Sequence, residues 1–225
     1  MSMVVAELHE PCVRPGTMAP GRLHVVAGAR VVDVEKAVLG VATGTGSTVI
    51  RHQVAGRFGL PARRSRSIPF LLPIPWETPV SWPEAPAVLT LRTRVAVAGG
   101  PAVDTAADLE VHPTLAHHRL VRAVTAAGFG LLRSGLAFTP LPGVRRSMPY
   151  FQDLTFQSHR PSGGGVRVAV VANPVGLDAV VTAAGRRRLV AVRHDDEQAA
   201  LRRLTEWLRF AVAAEWQLQR CRVRT

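Results

Sequence analysis

Up to about residue 110, apolar and polar positions alternate in short runs divided by turn residues. Leu23 and Val25 alternate with Arg22 and His24, and Pro15-Gly16 and Pro20-Gly21 read as turns before them. From Thr48 to Phe58, Ile50, Val54 and Phe58 share one face and Arg51, Gln53 and Arg57 the other. Leu89, Leu91, Val95 and Val97 oppose Thr90, Arg92, Arg94 and Ala96. A period of two predicts half-buried strands, because successive side chains leave a strand on opposite sides. Between these runs, Ile68 to Pro86 carries Pro69, Pro73, Pro75, Pro79 and Pro83, which predicts an edge or a crossing loop. Trp76 and Trp82 lie in it and are expected to pack back onto the sheet.

Gly99-Gly100-Pro101 marks a shift in composition, read as a domain boundary, and Val103 to Pro113 follows as an acidic connector. The period then lengthens: Leu115, Leu120, Val124 and Ala127 recur at helical spacing and Gly128 stops the helix. Strand patterns return where Tyr150, Gln152, Leu154 and Phe156 oppose Phe151, Asp153 and Thr155, and again at Val166, Val168 and Val170. Asn173-Pro174-Val175-Gly176 turns the chain back through Leu177 to Thr182, and Gly185-Arg186 turns it again into Leu189 to Arg193. Such spacing of strands and turns is typical of antiparallel sandwiches. After Asp195, with a capping-box-like start at Gln198, Ala200, Leu204, Trp207, Ala211, Ala214 and Leu218 predict an amphipathic helix. The division expected is 1–99, 100–195, and a helix with a basic tail over 196–225.

The chain has 225 residues, room for one large domain or two small ones that need no staples. Its 28 Lys and Arg against 16 Asp and Glu leave a net charge of +12, and Lys36 is the only lysine. Arginine suits phosphate and carboxylate, so the charge admits nucleic acid, anionic lipid or an acidic partner. Codon bias explains it as well, and charge says nothing about fold. The arginines at 63, 64 and 66, at 145 and 146, and at 186 to 188 fall in predicted turns without interleaved aromatics.

Cys12 and Cys221 have no metal or redox spacing and read as thiols in a reducing compartment. Glu7 and Glu10 interrupt the first apolar run, and Ile68 to Pro75 is too short to span a bilayer, so the expected location is cytoplasmic. His112, His117 and His118 cluster without metal-ligand spacing, and neighbours on a helix point apart. Gly44 to Thr48 lacks the end of a phosphate loop and reads as a hairpin turn. Asp195-Asp196 suits a helix N-terminus. With no nucleophile elbow present, the expectation is no catalytic residue, no metal, no cofactor and no small-molecule substrate.

Several segments in order resemble the bacterial sporulation-control family of the stage-zero sporulation protein M type. They are Val13-Arg14-Pro15-Gly16 with Gly21 to Val25, then Ile68-Pro69-Phe70 with Leu72-Pro73 and Pro79, then Glu110-Val111-His112-Pro113 and Gly128-Phe129. Met148-Pro149-Tyr150-Phe151-Gln152-Asp153-Leu154-Thr155-Phe156 is the most specific, with Asp153 where the family carries Glu. His194-Asp195 before a terminal helix matches actinobacterial members. The resemblance implies an all-β fold of two arrestin-like antiparallel β-sandwiches, with a short inter-strand helix and the C-terminal amphipathic helix. It also implies a non-enzymatic adaptor or regulatory protein with protein partners. The alternative, resting on charge, is a cationic module that binds nucleic acid or membrane lipid.

Overall fold

The computed structural model describes residues 3–43, 48–85, 89–160, 164–195 and 198–222, with side chains of the last segment described over 199–211. The turn read at 44–47, the cap involving Gln198 and the stripe beyond Ala211 lie outside the described residues.

The chain divides into two compact units, one of Met1–Pro75 with Val88–Val111, the other of Trp76–Ala87 with His112–Thr225. In the first unit, β1 (Met3–Leu8), β3 (Met18–Val26) and β7 (Ser65–Pro73) form a three-stranded antiparallel sheet in the order β1-β3-β7. The other sheet of this unit runs β2 (Cys12–Val13), β9 (Val103–Val111), β8 (Leu89–Val97), β4 (Val32–Thr43), β5 (Thr48–Ala55), with β6 (Phe58–Leu60) also on β4. Alternation supplies the core: Leu23 and Val25 of β3, Phe70 and Leu72 of β7, Leu39 and Val41 of β4, Leu91 and Val95 of β8 are buried. The proline-bearing β7 is an edge strand, where a missing N–H costs no ladder bond.

Pro20-Gly21 is not a turn. Both residues lie within β3, and Gly21 is paired with Phe70. A Cβ on Gly21 would collide with the Phe70 ring and with the carbonyl oxygen of Glu7. The glycine therefore lets an aromatic ring lie flat against the strand. Gly99-Gly100 is likewise no boundary. It is the tip of the β8–β9 hairpin, with Val95 opposite Val103. The acidic connector is β9 itself: Asp104, Asp108 and Glu110 share its exposed face while Leu109 and Val111 are buried. Alanines at 106 and 107 blur its alternation in the sequence.

The second unit holds α1 (Leu115–Ala126), β10 (Phe129–Ala137), β11 (Phe151–Ser158), β12 (Gly165–Asn173), β13 (Gly176–Ala183), β14 (Arg186–Arg193) and α2 (Gln198–Arg222). Its five strands form one antiparallel meander in chain order. Two-residue loops, Pro174-Val175 and Ala184-Gly185, join the last three. Ala184 and Gly185 both have positive φ, as a tight hairpin that follows strand twist requires. Helix α1 buries Ala116, Leu120, Ala123 and Val124 but leaves Leu115 exposed, and Gly128 at φ 100° ends it.

The terminal helix is part of the second unit rather than a separate module, with Leu204, Leu208 and Ala211 buried. Its side chains also complete α1. The Thr205 hydroxyl donates to the carbonyl of Ala123 at 3.1 Å and the Arg209 guanidinium to that of Ala126 at 2.9 Å. Carbonyls of a last helical turn have no partner within their own helix, so these bonds fasten one helix end to the next.

At the start of α1 the backbone N–H of Thr114 donates to His117 Nδ1 at 3.4 Å, and the Thr114 hydroxyl lies 2.7 Å from the same nitrogen. Burial, with His118 and His194 adding positive charge nearby, lowers the His117 pKa from 6.5 to about 3. The imidazole therefore stays neutral as a cap while the unfolded chain takes up a proton below pH 6.5. Stability is present above that pH and is lost as pH falls toward 3.

Two outcomes follow. Gly21→Ala is expected to cost about 1–3 kcal/mol from overpacking, read as a lower urea midpoint; an unchanged midpoint contradicts the close approach. In His117→Asn, the loss of stability between pH 6.5 and 4 should become shallower than wild type by up to about 1.4 kcal/mol per pH unit. Parallel profiles of the two proteins would refute the buried neutral cap.

Candidate binding face

Strand β11 serves both sides of its sheet. Tyr150 just before it, and Gln152, Leu154 and Phe156 within it, turn inward and are buried, as the alternation predicts. Gln152 is the polar member of that row. Its carbonyl accepts the backbone N–H of Val80 at 3.0 Å, and its amide donates to the Val80 carbonyl at 2.7 Å and to the Ser134 hydroxyl at 2.7 Å. The Glu77 carboxylate accepts the N–H and hydroxyl of Ser147 and the N–H of Met148 at 2.9 Å. These bonds, rather than a ladder, hold the 76–87 segment in the second unit. Its tryptophans lie beside histidines: Trp76 is 5.7 Å from the His194 ring, and Trp82, which is buried, meets His118 edge-on at 5.7 Å.

The odd residues of β11 face outward. Phe151 joins Leu141, Ala169, Val171 and Val180 in a small apolar cluster beneath the loop between β10 and β11. A recess of about 250 Å³ opens there, floored by Leu141, Phe151, Ala169 and Val180. Its rim is polar: Asp153, Arg167, Thr182 and Arg187. Arg167 donates to the Asp153 carboxylate at 2.6 Å, and that hydrogen bond with the carboxylate charge pushes the guanidinium pKa further up. The aspartate side chain is 11% exposed and the arginine 64%. The carboxylate thus anchors one edge of a guanidinium whose other N–H groups point to solvent.

Register places further groups on this side. Arg133, Thr155, Arg167, Thr182 and Arg187 stand directly opposite one another across the five strands. The arginines at 186 to 188 therefore lie on β14 and not in a turn, because the preceding loop is only two residues long. Of the other clusters, Arg63 and Arg64 do occupy a turn, Arg66 lies on β7, and Arg145 and Arg146 lie in the β10–β11 loop. Aromatics separated in sequence come to these arginines in space. Arg66 sits 4.6 Å from the Phe58 ring, Arg146 5.6 Å from Phe151 and Arg188 5.9 Å from Trp207. Sequence spacing carries no trace of those pairs, because each joins elements that tertiary packing, not strand register, brings together.

Three groups suited to proton transfer or nucleophilic attack, His117, Cys12 and Tyr150, are each covered or paired. Among the clustered histidines, His117 is buried in its cap and His118 turns out toward Trp82. Partial burial, then the Glu110 carboxylate, push the Cys12 thiol pKa up, and its Sγ donates to Glu110 at 3.7 Å. Burial and then Glu77 raise the Tyr150 phenol. Among the described residues no helix is long and apolar enough to cross a membrane.

No curated protein matches the chain in sequence. Among solved structures it is similar to the crystal structure of Spo0M, sporulation control protein, from Bacillus subtilis. The TM-score is 0.77 at 18% identity, covering 92% of this chain and 98% of that one, which gives the arrestin-like fold. A periplasmic chaperone, SfaE, aligns at a TM-score of only 0.30 with 10% identity over 84% of each chain. The profile of the SpoOM protein family matches residues 2–187, most of both units, and the chain belongs to that family, Spo0M.

Proposed function

We propose that this chain is a non-enzymatic regulator of sporulation that acts in the cytoplasm as an adaptor, docking protein partners on the outward face of the five-stranded sheet of its second unit. Family membership supports the regulatory role. The observation that carries the mechanism is the recess: an apolar floor with a polar rim, formed by strands on a fixed register and the β10–β11 loop. A concave apolar patch ringed by hydrogen-bonding groups is the surface that protein partners use for an anchoring side chain. A thiol with a raised pKa and a buried, capped histidine agree with a role in binding rather than catalysis.

Filling the recess tests this. Ala169 is buried in its floor, and Ala169→Leu places a larger side chain there. In the native host lacking this gene, wild-type protein should restore the sporulation phenotype. The Ala169→Leu protein, at equal abundance and with a circular-dichroism spectrum like wild type, should not. Full restoration by the filled variant would overturn the docking reading.

A further inference from the structure

We infer that the outward face of the five-stranded sheet of the second unit recognises an extended acidic peptide segment, its carboxylates bound by a row of arginines and one apolar side chain seated in the recess. This rests on the reading of that face as the docking surface and names the chemistry of its partner.

The row crosses the whole sheet in register, Arg133 on β10, Thr155 on β11, Arg167 on β12, Thr182 on β13 and Arg187 on β14. Neighbouring strands lie about 4.8 Å apart, so the backbone positions of successive arginines in the row stand about 9.6 Å apart. An extended chain of the polyproline type rises about 3.1 Å per residue with three residues per turn. It therefore presents every third side chain on one face at about 9.3 Å, close to the arginine spacing. The threonines between are half-buried and offer hydroxyls to the peptide backbone.

The charge on this face is one-sided. Arg133, Arg167 and Arg187 are exposed, and the acid facing them in the recess, Asp153, is largely covered and already engaged by Arg167. Asp178 lies nearer the Asn173 end of β13, opposite Val171, and accepts from the Asn173 amide at 3.2 Å. A further group points to an anion. Arg146 stands over the Phe151 ring that floors the recess, and its Nη1 is buried without a hydrogen-bond partner among the described residues. A buried guanidinium nitrogen left without an acceptor is costly, and a carboxylate beside it removes the cost.

The same face suits a peptide better than nucleic acid. Phe151 is buried, 5% exposed, and offers no flat ring on which a base stacks. The recess offers an apolar floor of Leu141, Phe151, Ala169 and Val180 beside the charges.

The test uses full-length protein and fluorescence anisotropy with a labelled peptide of about 12 residues, glutamate at every third position and one central leucine. Parallel probes are the same peptide with glutamine for glutamate, single-stranded DNA of similar length, and phosphatidylglycerol vesicles. The acidic peptide should bind, and its affinity should fall at least about tenfold in Arg133→Gln and in Arg187→Gln. It should be unchanged in Arg57→Gln, an exposed arginine of the first unit. Equal binding of the glutamine peptide, an equal loss in Arg57→Gln, or tighter binding of DNA or vesicles would each overturn the inference. If the acidic peptide fails to bind while Ala169→Leu still blocks restoration of sporulation, the acidic chemistry is wrong and the docking face stands. If Ala169→Leu restores sporulation in full, the docking face falls with it.

Discussion

The side-chain amide of Gln152 does for the 76–87 segment what a neighbouring strand does elsewhere in the molecule. That segment has Pro79 and Pro83 and, among its described residues, no strand, yet Val80 is fully buried, and a buried backbone needs its N–H and carbonyl satisfied. Gln152 meets both from within β11 and uses its remaining donor on Ser134. Glutamine is suited to this because it carries a donor pair and an acceptor on one planar group. With Glu77 collecting the amides of Ser147 and Met148, the segment is fixed to the second unit by two side chains. The same alternation that turns Gln152 inward turns Phe151 and Asp153 outward, so one strand holds the crossing segment on one side and the candidate recess on the other.

The excess of arginine takes on meaning only through register and packing. Arg66, Arg146 and Arg188 lie over aromatic rings, where a planar cation gains from the ring face. Arg119 and Arg209 donate to backbone carbonyls at helix and strand ends. Arginines used in this way are structural. The row on the sheet of the second unit differs, because its members share one face, are exposed, and have one covered carboxylate among them. A net charge of +12 is thus divided among several tasks, and its total identifies none of them.

Much of this was readable in the residues, and the exceptions have physical causes. Strands β8 and β11 to β13 and both helices stand out because one face of each is mainly apolar, and the second half of β14 because Val190 and Val192 alternate with exposed residues. Strand β9 does not, since its exposed face is acidic and its other face is broken by Thr105 and the exposed Ala107, leaving only Leu109 and Val111 buried. Gly21 after Pro20 looks like a turn, and only the ring of Phe70 across the sheet explains it. The unit to which Trp76 and Trp82 belong depends on bonds to Gln152, Ser147 and Met148, about 70 residues away in sequence. Part of the arginine row follows from the two-residue hairpin loops, which fix Arg167 opposite Thr182 and Thr182 opposite Arg187. The remaining steps, to Thr155 and then past the bulge at Arg133, cross a longer loop and an irregular register that local rules do not set.

The most direct test of the account is the exchange of the Val80 amide with deuterium. In the wild type Gln152 protects it, so it should exchange as slowly as the paired amides of β11. In Gln152→Met, which keeps the length of the side chain and removes its hydrogen bonds, Val80 should exchange about tenfold faster or more. The amides pairing β11 with β12 should keep most of their protection. Unchanged protection at Val80 in the variant would contradict the claim that one glutamine fixes the crossing segment to the sheet of the second unit.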